Sequence, residues 1–282
     1  MKTLGEILTI SAGFLKEKNC PRFRRDAEEL LAYVLKLKRL DLYLQFDRPI
    51  QESELETLRS LIKRTAAGEP VEYIVGEVVF YHCDISVGPG VLIPRPETEI
   101  LVDSACRMLR TADLYQKTAW DLCTGSGCIG IAVKKACPDL NICLSDLSEN
   151  ALQFAIANIE KNKVEVEILQ GDLLTPFAGR KADLIFCNPP YVTEKEFFKL
   201  DRSVKDFEPQ QALIGGEDGL AFYRRLQNEL PTYLNPHAKL FFEIGADQGE
   251  AILNIFSGTG WKNRRVEKDW AGHDRFFFLE FE

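Results

Sequence analysis

The chain has 282 residues and a mass of 32.0 kDa, with 45% hydrophobic and 28% charged residues. These values are typical of globular proteins and exclude a disordered, collagen-like or coiled-coil chain. The net charge of −8 argues against general nucleic-acid binding, which depends on Lys and Arg neutralising phosphates. No apolar run approaches the ~20 residues of a membrane span and no signal-peptide pattern begins the chain, so we expect a soluble cytoplasmic protein.

The first 70 residues show helical periodicity. Apolar residues recur mostly at intervals of three and four, from Leu4 to Ile62. Pro21 and Pro49 separate the segments, and Gly68 with Pro70 ends the last one. The pattern predicts a small all-helical domain of three to five helices over residues 1–70.

Residues 71–95 have a different composition, with short β-branched and aromatic runs. Val78–Tyr81 and Ile85–Val87 are followed by Gly-Pro-Gly at 88–90. Runs of this kind between turn residues are typical of a β-hairpin. We predict that this hairpin links two domains.

From residue 96 to residue 282, apolar strands alternate with amphipathic helices. The predicted strands are Ala119–Leu122, Asn141–Ser145, Val164–Leu169, Ala182–Cys187, Lys239–Ile244 and Arg275–Phe281. The predicted helices are 97–110, 128–137, 148–162, 217–230 and 247–256. This alternation predicts an α/β domain with a mostly parallel sheet and helices on both faces. Ligands of such sheets bind beyond the carboxyl ends of the strands.

A glycine-rich loop follows the first of these strands. Gly125, Gly127 and Gly130 form a G-x-G-x-x-G pattern, and Asp146 closes the next strand 21 residues after Gly125. The glycines allow a ligand to approach the backbone closely, and an acid at this distance can accept hydrogen bonds from ribose hydroxyls. The pattern predicts an adenosine-containing cofactor. It does not separate NAD from S-adenosylmethionine, because both carry a ribose diol.

The strand Ala182–Cys187 runs directly into Asn188-Pro189-Pro190-Tyr191. Two prolines fix the turn and restrict Asn188 before them. The Asn188 side-chain oxygen and the Pro189 carbonyl can accept both N–H bonds of one planar amine or amide, and Tyr191 can stack over that group. Such a clamp suits methylation of a nitrogen with a delocalised lone pair, because orientation is the main contribution that catalysis needs.

Together, the two motifs resemble the class I S-adenosylmethionine-dependent methyltransferases that modify amide or exocyclic amino nitrogens. The run Ile93–Glu99 reads I-P-R-P-E-T-E. It resembles the corresponding segment of the protein-(glutamine-N5) methyltransferases that modify peptide chain release factors. Other segments that resemble this family are Phe207–Pro209, Ala212–Leu213, Gly215–Leu220, Glu243–Gly245, Gln248 and Asp269–Arg275. The related glutamine methyltransferases that act on a large-subunit ribosomal protein have a P-R-S-P pattern at this position, where this chain reads P-R-P-E.

The resemblance implies a Rossmann-like class I methyltransferase sheet over 96–282 and S-adenosylmethionine as cofactor. The implied cofactor-binding residues are Cys123, Thr124, Gly125, Ser126, Gly127, Asp146, Asp172, Leu173 and Asn188. The implied catalytic and substrate-binding residues are Asn188, Pro189, Pro190 and Tyr191. Arg95 and Glu97 are expected either to line the substrate entrance or to form a structural ion pair.

The implied substrate is the glutamine in the Gly-Gly-Gln motif of class I release factors, which the helical domain would dock. We expect a monomer without stable nucleic-acid binding, membrane association or a metal site. Two positions depart from the pattern: Cys123 stands where glycine is more common, and Leu173 where some relatives carry an aromatic residue. The alternatives are an adenine-N6 methyltransferase of DNA or RNA and, without methyl transfer, a nicotinamide oxidoreductase.

Overall fold

The computed structural model describes residues 2–282 and divides them into two compact units. One unit runs up to Glu77 and includes Asp201–Phe207, and the other comprises Val78–Leu200 and Glu208–Glu282. The boundaries predicted from the sequence, 70/71 and 95/96, remain a prediction. Within residues 2–282, no helix combines the length and the hydropathy that a membrane crossing requires.

The first unit is helical, as predicted. Its helices are α1 (Leu4–Glu17), α2 (Phe23–Leu35), α3 (Glu52–Ala66), α4 (Val71–Val75), the later α9 (Arg202–Lys205) and a 3-10 helix (Arg39–Leu44). A capping box between Thr3 and Glu6 satisfies backbone N–H groups at the start of α1. The apolar faces of α1, α2 and α3 form one buried cluster, since their apolar residues recur at helical spacing.

The second unit begins with a two-stranded hairpin, β1 (Glu77–Phe80) and β2 (Cys83–Ser86). Asn158, which is fully buried, accepts a hydrogen bond from the Ser86 backbone N–H at 2.7 Å and donates to the Ser86 carbonyl at 3.0 Å. The same amide donates to the Ser126 carbonyl at 2.9 Å. One asparagine therefore joins the hairpin to the glycine-rich loop.

A seven-stranded sheet with the order β5-β4-β3-β6-β7-β9-β8 forms the centre of this unit. Its strands are β3 (Thr118–Leu122), β4 (Asn141–Asp146), β5 (Glu167–Gln170), β6 (Ala182–Cys187), β7 (Leu234–Glu243), β8 (Trp261–Lys268) and β9 (Asp274–Phe281). The other helices of the unit are α5 (Pro96–Leu109), α6 (Cys128–Ala136), α7 (Glu149–Asn162), α8 (Glu194–Phe197), α10 (Ala221–Glu229) and α11 (Gly249–Ile255).

The strands β3 to β7 are parallel, and β9 is antiparallel to both β7 and β8. This confirms the predicted mostly parallel sheet. The chain proceeds from β3 to one side of the sheet and later returns to β6 on the other side. The carboxyl ends of β3 and β6 therefore lie side by side at the topological switch point, where such sheets bind ligands.

Several predicted elements differ from the structure. The strand Trp261–Lys268 was not predicted, because its interior reads Lys-Asn-Arg-Arg and these residues are exposed at the sheet edge. The strand predicted from Lys239 begins at Leu234, since a register shift against β6 absorbs the interruption around Pro236. The helix predicted from residue 217 begins at Ala221, and residues 164–166 lie outside β5.

Candidate active site

A cavity lies at the carboxyl ends of β3, β4 and β6. The predicted site residues that line it are Arg95, Cys123, Thr124, Gly125, Ser126, Asp146, Asp172, Leu173, Asn188 and Pro190. The predicted residues Glu97, Gly127, Pro189 and Tyr191 do not belong to its wall. The glycine-rich loop and the Asn-Pro-Pro-Tyr turn, separated by about 60 residues in the sequence, thus meet at one cavity.

The glycines of the loop serve two physical purposes. Gly125 has a φ of +57°, and a Cβ there would meet no atom closer than 3.9 Å, so its backbone is open to the cavity. Gly127 precedes α6 with a φ of +82°, and a Cβ there would lie 3.3 Å from the side chain of Leu144 in β4. At Gly130 a Cβ would lie 2.1 Å from Leu144. Gly125 therefore favours ligand approach, whereas Gly127 and Gly130 let α6 pack on the sheet.

Asp121, near the end of β3, stabilises the glycine-rich loop through hydrogen bonds. Its Oδ2 accepts hydrogen bonds from the Thr124 hydroxyl at 2.5 Å and from the Gly130 N–H at 2.9 Å. Its Oδ1 is buried and has no hydrogen-bond partner. Burial raises the pKa of Asp121 to about 7, although both hydrogen bonds lower it and Asp146 raises it further. The raised pKa favours the neutral form of Asp121 in the folded chain.

Asp146 connects the loop to the end of β4. One carboxylate oxygen accepts from the Gly125 N–H at 2.8 Å, and the other accepts from the Ser148 N–H at 2.9 Å. Burial raises the pKa of this carboxyl group, while the backbone donors lower it. Each oxygen keeps acceptor capacity, because a carboxylate oxygen accommodates two hydrogen bonds. The side chain can hold the loop and accept from a ligand at the same time.

The four residues of the turn after β6 differ in whether they line the cavity. Asn188 and Pro190 line the cavity, and the Asn188 Nδ2 donates to the Thr98 hydroxyl at 3.4 Å. Tyr191 packs against the core, and its hydroxyl donates to Glu243 at 3.2 Å. Burial raises the pKa of Tyr191, so its hydroxyl remains a donor. The described contacts of Tyr191 are those of a support behind the turn.

The backbone of this turn is held by a glycine segment. A Cβ at Gly215 would lie 2.4 Å from the Pro190 carbonyl oxygen, and one at Gly219 would lie 2.3 Å from that of Tyr191. Gln248 donates to the Tyr191 carbonyl at 3.0 Å and to the Gly219 carbonyl at 3.2 Å. The glycines between 215 and 219 are therefore required by close backbone approach as well as by the turn before α10.

The Ile93–Glu99 run forms an ion pair that the sequence did not predict. Arg95 contacts Glu208 at 2.5 Å, and the other Glu208 oxygen accepts from the Ile93 N–H at 3.1 Å. The structural ion pair of Arg95 is thus with Glu208, and the expected pair with Glu97 is wrong. The sequence did not indicate this pair because Arg95 and Glu208 are more than 100 positions apart.

Asp172 and Leu173 both reach the cavity wall beyond β5. The Asp172 carboxylate forms a two-point ion pair with Arg225, with both contacts at 3.0 Å. Leu173 has a φ of +48° and is buried against the core. Cys123 also has a positive φ, +54°, where glycine has no steric penalty.

Sequence reasoning did not assign roles to Thr98 and Glu243. Thr98 donates to Glu243 at 2.6 Å, and Glu243 is 1% exposed. Burial raises the pKa of Glu243, whereas Thr98, Arg275 and Tyr191 lower it. Both residues lie in segments that carried the resemblance, and that was the only signal for them. Among residues 2–282, no group of three or more His, Cys, Asp or Glu side chains could hold a metal ion.

Two family models match the chain. The PrmC N-terminal domain matches residues 6–76, and the methyltransferase small domain matches residues 98–204. A solved methyltransferase from Pyrococcus furiosus is similar in fold, with 19% identity, a TM-score of 0.52, and coverage of 80% of this chain and 98% of that chain. The sheet is the class I methyltransferase sheet that the sequence predicted.

Curated relatives match over nearly the whole length. The release factor glutamine methyltransferase of Thermodesulfovibrio yellowstonii is 41% identical over 91% of this chain and 92% of its own. The enzyme of the same name from Geobacter sulfurreducens is 37% identical over 97% of this chain and 95% of its own. Both matches extend across the two units of the chain. The chain belongs to the release factor glutamine methyltransferase family.

Proposed function

We propose that the chain transfers the methyl group of S-adenosylmethionine to the side-chain nitrogen of the glutamine in the Gly-Gly-Gln motif of class I release factors. The names of the curated relatives state the release-factor glutamine as their target. One observation in this chain carries the proposal. The glycine-rich loop and the Asn-Pro-Pro-Tyr turn open on one cavity, so a cofactor and a planar amide can meet there.

The cavity wall fits S-adenosylmethionine in its chemistry. The open backbone at Gly125 and the remaining acceptor capacity of Asp146 suit the ribose and methionine parts. The buried apolar side chain of Leu173 suits the face of an adenine. When bound, the cofactor supplies an electrophilic methyl group on a sulfonium, which needs no further activation.

The residues of the turn would hold the acceptor. The Asn188 Oδ1 and the Pro189 carbonyl accept the two N–H bonds of the glutamine amide and fix its plane. Drawing electron density from both N–H bonds makes the nitrogen more nucleophilic. Fixed orientation can contribute about 7–11 kcal/mol in favourable systems. The proton that leaves the nitrogen after transfer passes to water, since the product amide cation is strongly acidic.

The helical unit supplies a surface for docking the release factor. Its 3-10 helix exposes Leu40 at 72% and Leu44 at 84%, and Tyr43 beside them is also exposed. Neighbouring exposed apolar side chains of this kind mark interaction surfaces. We propose that this unit binds the body of the release factor. We also propose that the chain acts as a monomer in the cytoplasm.

A competition experiment tests the function. The full chain is incubated with methyl-labelled cofactor, a class I release factor and an adenine-containing duplex. We expect label in the release factor, and none in a matched release factor whose Gly-Gly-Gln reads Gly-Gly-Ala. Label in the duplex with none in the release factor would favour the adenine-N6 alternative and overturn the proposal.

A further inference from the structure

A line of hydrogen bonds runs behind the Asn-Pro-Pro-Tyr turn. Arg275 donates to the Tyr191 hydroxyl at 3.4 Å, and that hydroxyl donates to Glu243 at 3.2 Å. From the other side, Asn188 donates to the Thr98 hydroxyl at 3.4 Å, and Thr98 donates to Glu243 at 2.6 Å. All donors therefore point toward the Glu243 carboxylate.

The number of protons on each group fixes this direction. Glu243 accepts from Tyr191 at one oxygen and from Thr98 at the other, and a threonine hydroxyl has one proton to donate. Thr98 gives that proton to Glu243, so it can only accept from Asn188. The Asn188 amide must then turn its NH2 group toward Thr98. Because the two ends of an amide lie on opposite sides, its oxygen is left for the cavity that Asn188 lines.

The orientation of this amide decides whether the clamp works. A glutamine amide presents N–H donors, so the clamp must offer an oxygen. A flipped Asn188 would place its own NH2 group against the substrate NH2 group, and the hydrogen bond would be replaced by repulsion. The two orientations have nearly the same shape, so packing alone does not select between them. A hydrogen-bonding partner is needed for that selection.

We infer that Thr98 and Glu243 are positioning residues that keep the Asn188 amide oxygen directed at the acceptor nitrogen. The inference rests on the proposed function for its substrate, whereas the orientation itself is a property of the free chain. Glu243 sets the direction of the Thr98 hydroxyl, and Thr98 sets the direction of the Asn188 amide. Tyr191 occupies the second oxygen of Glu243, which keeps that carboxylate in place.

Substitutions at Thr98 separate the effect of the hydroxyl group from the effect of side-chain volume. Thr98→Val keeps the shape and removes the hydroxyl, and we expect kcat to fall about 10- to 100-fold. The KM for the cofactor should change by less than about threefold. Thr98→Ser, which restores the hydroxyl, should recover most of the loss. Thr232→Val is the matched control, since Thr232 is exposed before the amino end of β7. An unchanged kcat in Thr98→Val, or an equal fall in Thr98→Ser, would overturn the inference.

Glu243→Gln tests the direction of the network. A glutamine can donate to Thr98, which frees the Thr98 proton to point at the Asn188 oxygen and favours the flipped amide. We expect kcat to fall as in Thr98→Val. In an Asn188→Ala background, neither substitution should lower kcat further, because both act through Asn188. Additive losses would show that they act on something else.

A measurement without substrate separates this inference from the proposed function. In the free full chain, the side-chain N–H signals of Asn188, assigned by their loss in Asn188→Ala, should show one proton protected from hydrogen exchange. We expect Thr98→Val to remove that protection and Thr98→Ser to retain it. Equal exchange in the parent and in Thr98→Val would refute the positioning role. A parent chain that methylates no release factor but shows this protection would refute the proposed function alone.

Discussion

Asn188 is the residue whose chemistry the proposed reaction needs most. Its side chain lines the cavity, while Cys187 before it is buried in the sheet core. We predict that Asn188→Ala lowers kcat by about 10²–10³-fold, as the loss of one fixed polar contact to a transition state typically does. The Kd of the cofactor should change little, because the loop at 123–127 and Asp146 are intact. Equilibrium binding and single-turnover rates measure the two effects separately. A collapse of cofactor binding with normal turnover of the bound complex would contradict the assignment.

Asp121 makes the stability of the sheet unit depend on pH. Its pKa is about 7 in the folded chain and 3.8 in its ordinary environment, so folding favours the protonated form. The associated stability is fully present below about pH 4 and is lost as the pH rises through about 7, by at most about 1.4 kcal/mol per pH unit. Asp121→Asn lacks this pH-dependent contribution, because a side-chain amide does not titrate in this range. Its oxygen can still accept from Thr124 and Gly130.

Denaturant unfolding of the parent and Asp121→Asn between about pH 5 and pH 7 measures this effect. Tryptophan fluorescence reports on the sheet unit, since all three tryptophans (120, 261 and 270) belong to it. We expect the stability of the variant relative to the parent to increase with pH. Parallel pH profiles would show that Asp121 is ionised throughout.

The sequence predicted the polar groups that directly follow a strand better than those that complete the hydrogen-bond network around Asn188. Asn188 and Asp146 follow strands directly, so their place at the carboxyl edge of the sheet can be derived from the strand pattern. Thr98 and Glu243 are joined by a hydrogen bond across 145 positions. No periodicity links such residues, because the contact exists only once α5 has packed beside β7.

The glycine segment at 215–219 is the element that shapes the Asn-Pro-Pro-Tyr turn. A Cβ at Gly215 would lie 2.4 Å from the Pro190 carbonyl oxygen and 2.9 Å from the Cα of Tyr191. We predict that Gly215→Ala displaces the turn and lowers kcat by at least about tenfold, since small misplacements of reacting groups are costly. Gly258→Ala is the control, because a Cβ there meets nothing within 4 Å. Normal kcat in Gly215→Ala would show that the turn tolerates displacement.

Among the strands, the buried parallel ones were predictable from the sequence and the edge strand was not. Strands β3, β4 and β6 are mostly apolar and are buried along most of their length, which is the pattern of strands covered on both faces. The edge strand β8 is mostly exposed and charged, a composition that protects sheet edges from aggregation. The same composition gives β8 no apolar pattern from which a strand could be predicted. Its pairing with β9 becomes visible only in the folded sheet.

For the whole molecule, the proposed docking role of the helical unit makes a separate prediction. Leu44→Asp places a charge on its exposed apolar surface and should raise the KM for the release factor at least about threefold with kcat unchanged. Stability should change little, because Leu44 is 84% exposed. Tyr115→Asp is the control, since Tyr115 is 73% exposed in the sheet unit. Equal effects of both substitutions on KM would argue against a specific docking surface.

The division of the molecule into a helical and a sheet unit follows from a change in periodicity along the chain. The assignment of Asp201–Phe207 to the helical unit could not be predicted from this change in periodicity. A Cβ at Gly68 would contact Arg202 and Phe207 at 3.4–3.5 Å, so this segment completes the packing of the helical unit from far along the sequence. A seven-residue segment has too little periodicity to reveal such a partner.

A crystal structure of the chain with S-adenosylhomocysteine and a Gly-Gly-Gln peptide tests most directly whether the Asn-Pro-Pro-Tyr turn holds the glutamine amide. We expect the glutamine side-chain nitrogen to lie within hydrogen-bonding distance of the Asn188 Oδ1 and the Pro189 carbonyl, with the face of the amide toward the sulfur of the cofactor. A peptide amide bound elsewhere, or an Asn188 side chain directed away from the sulfur in the occupied site, would contradict it.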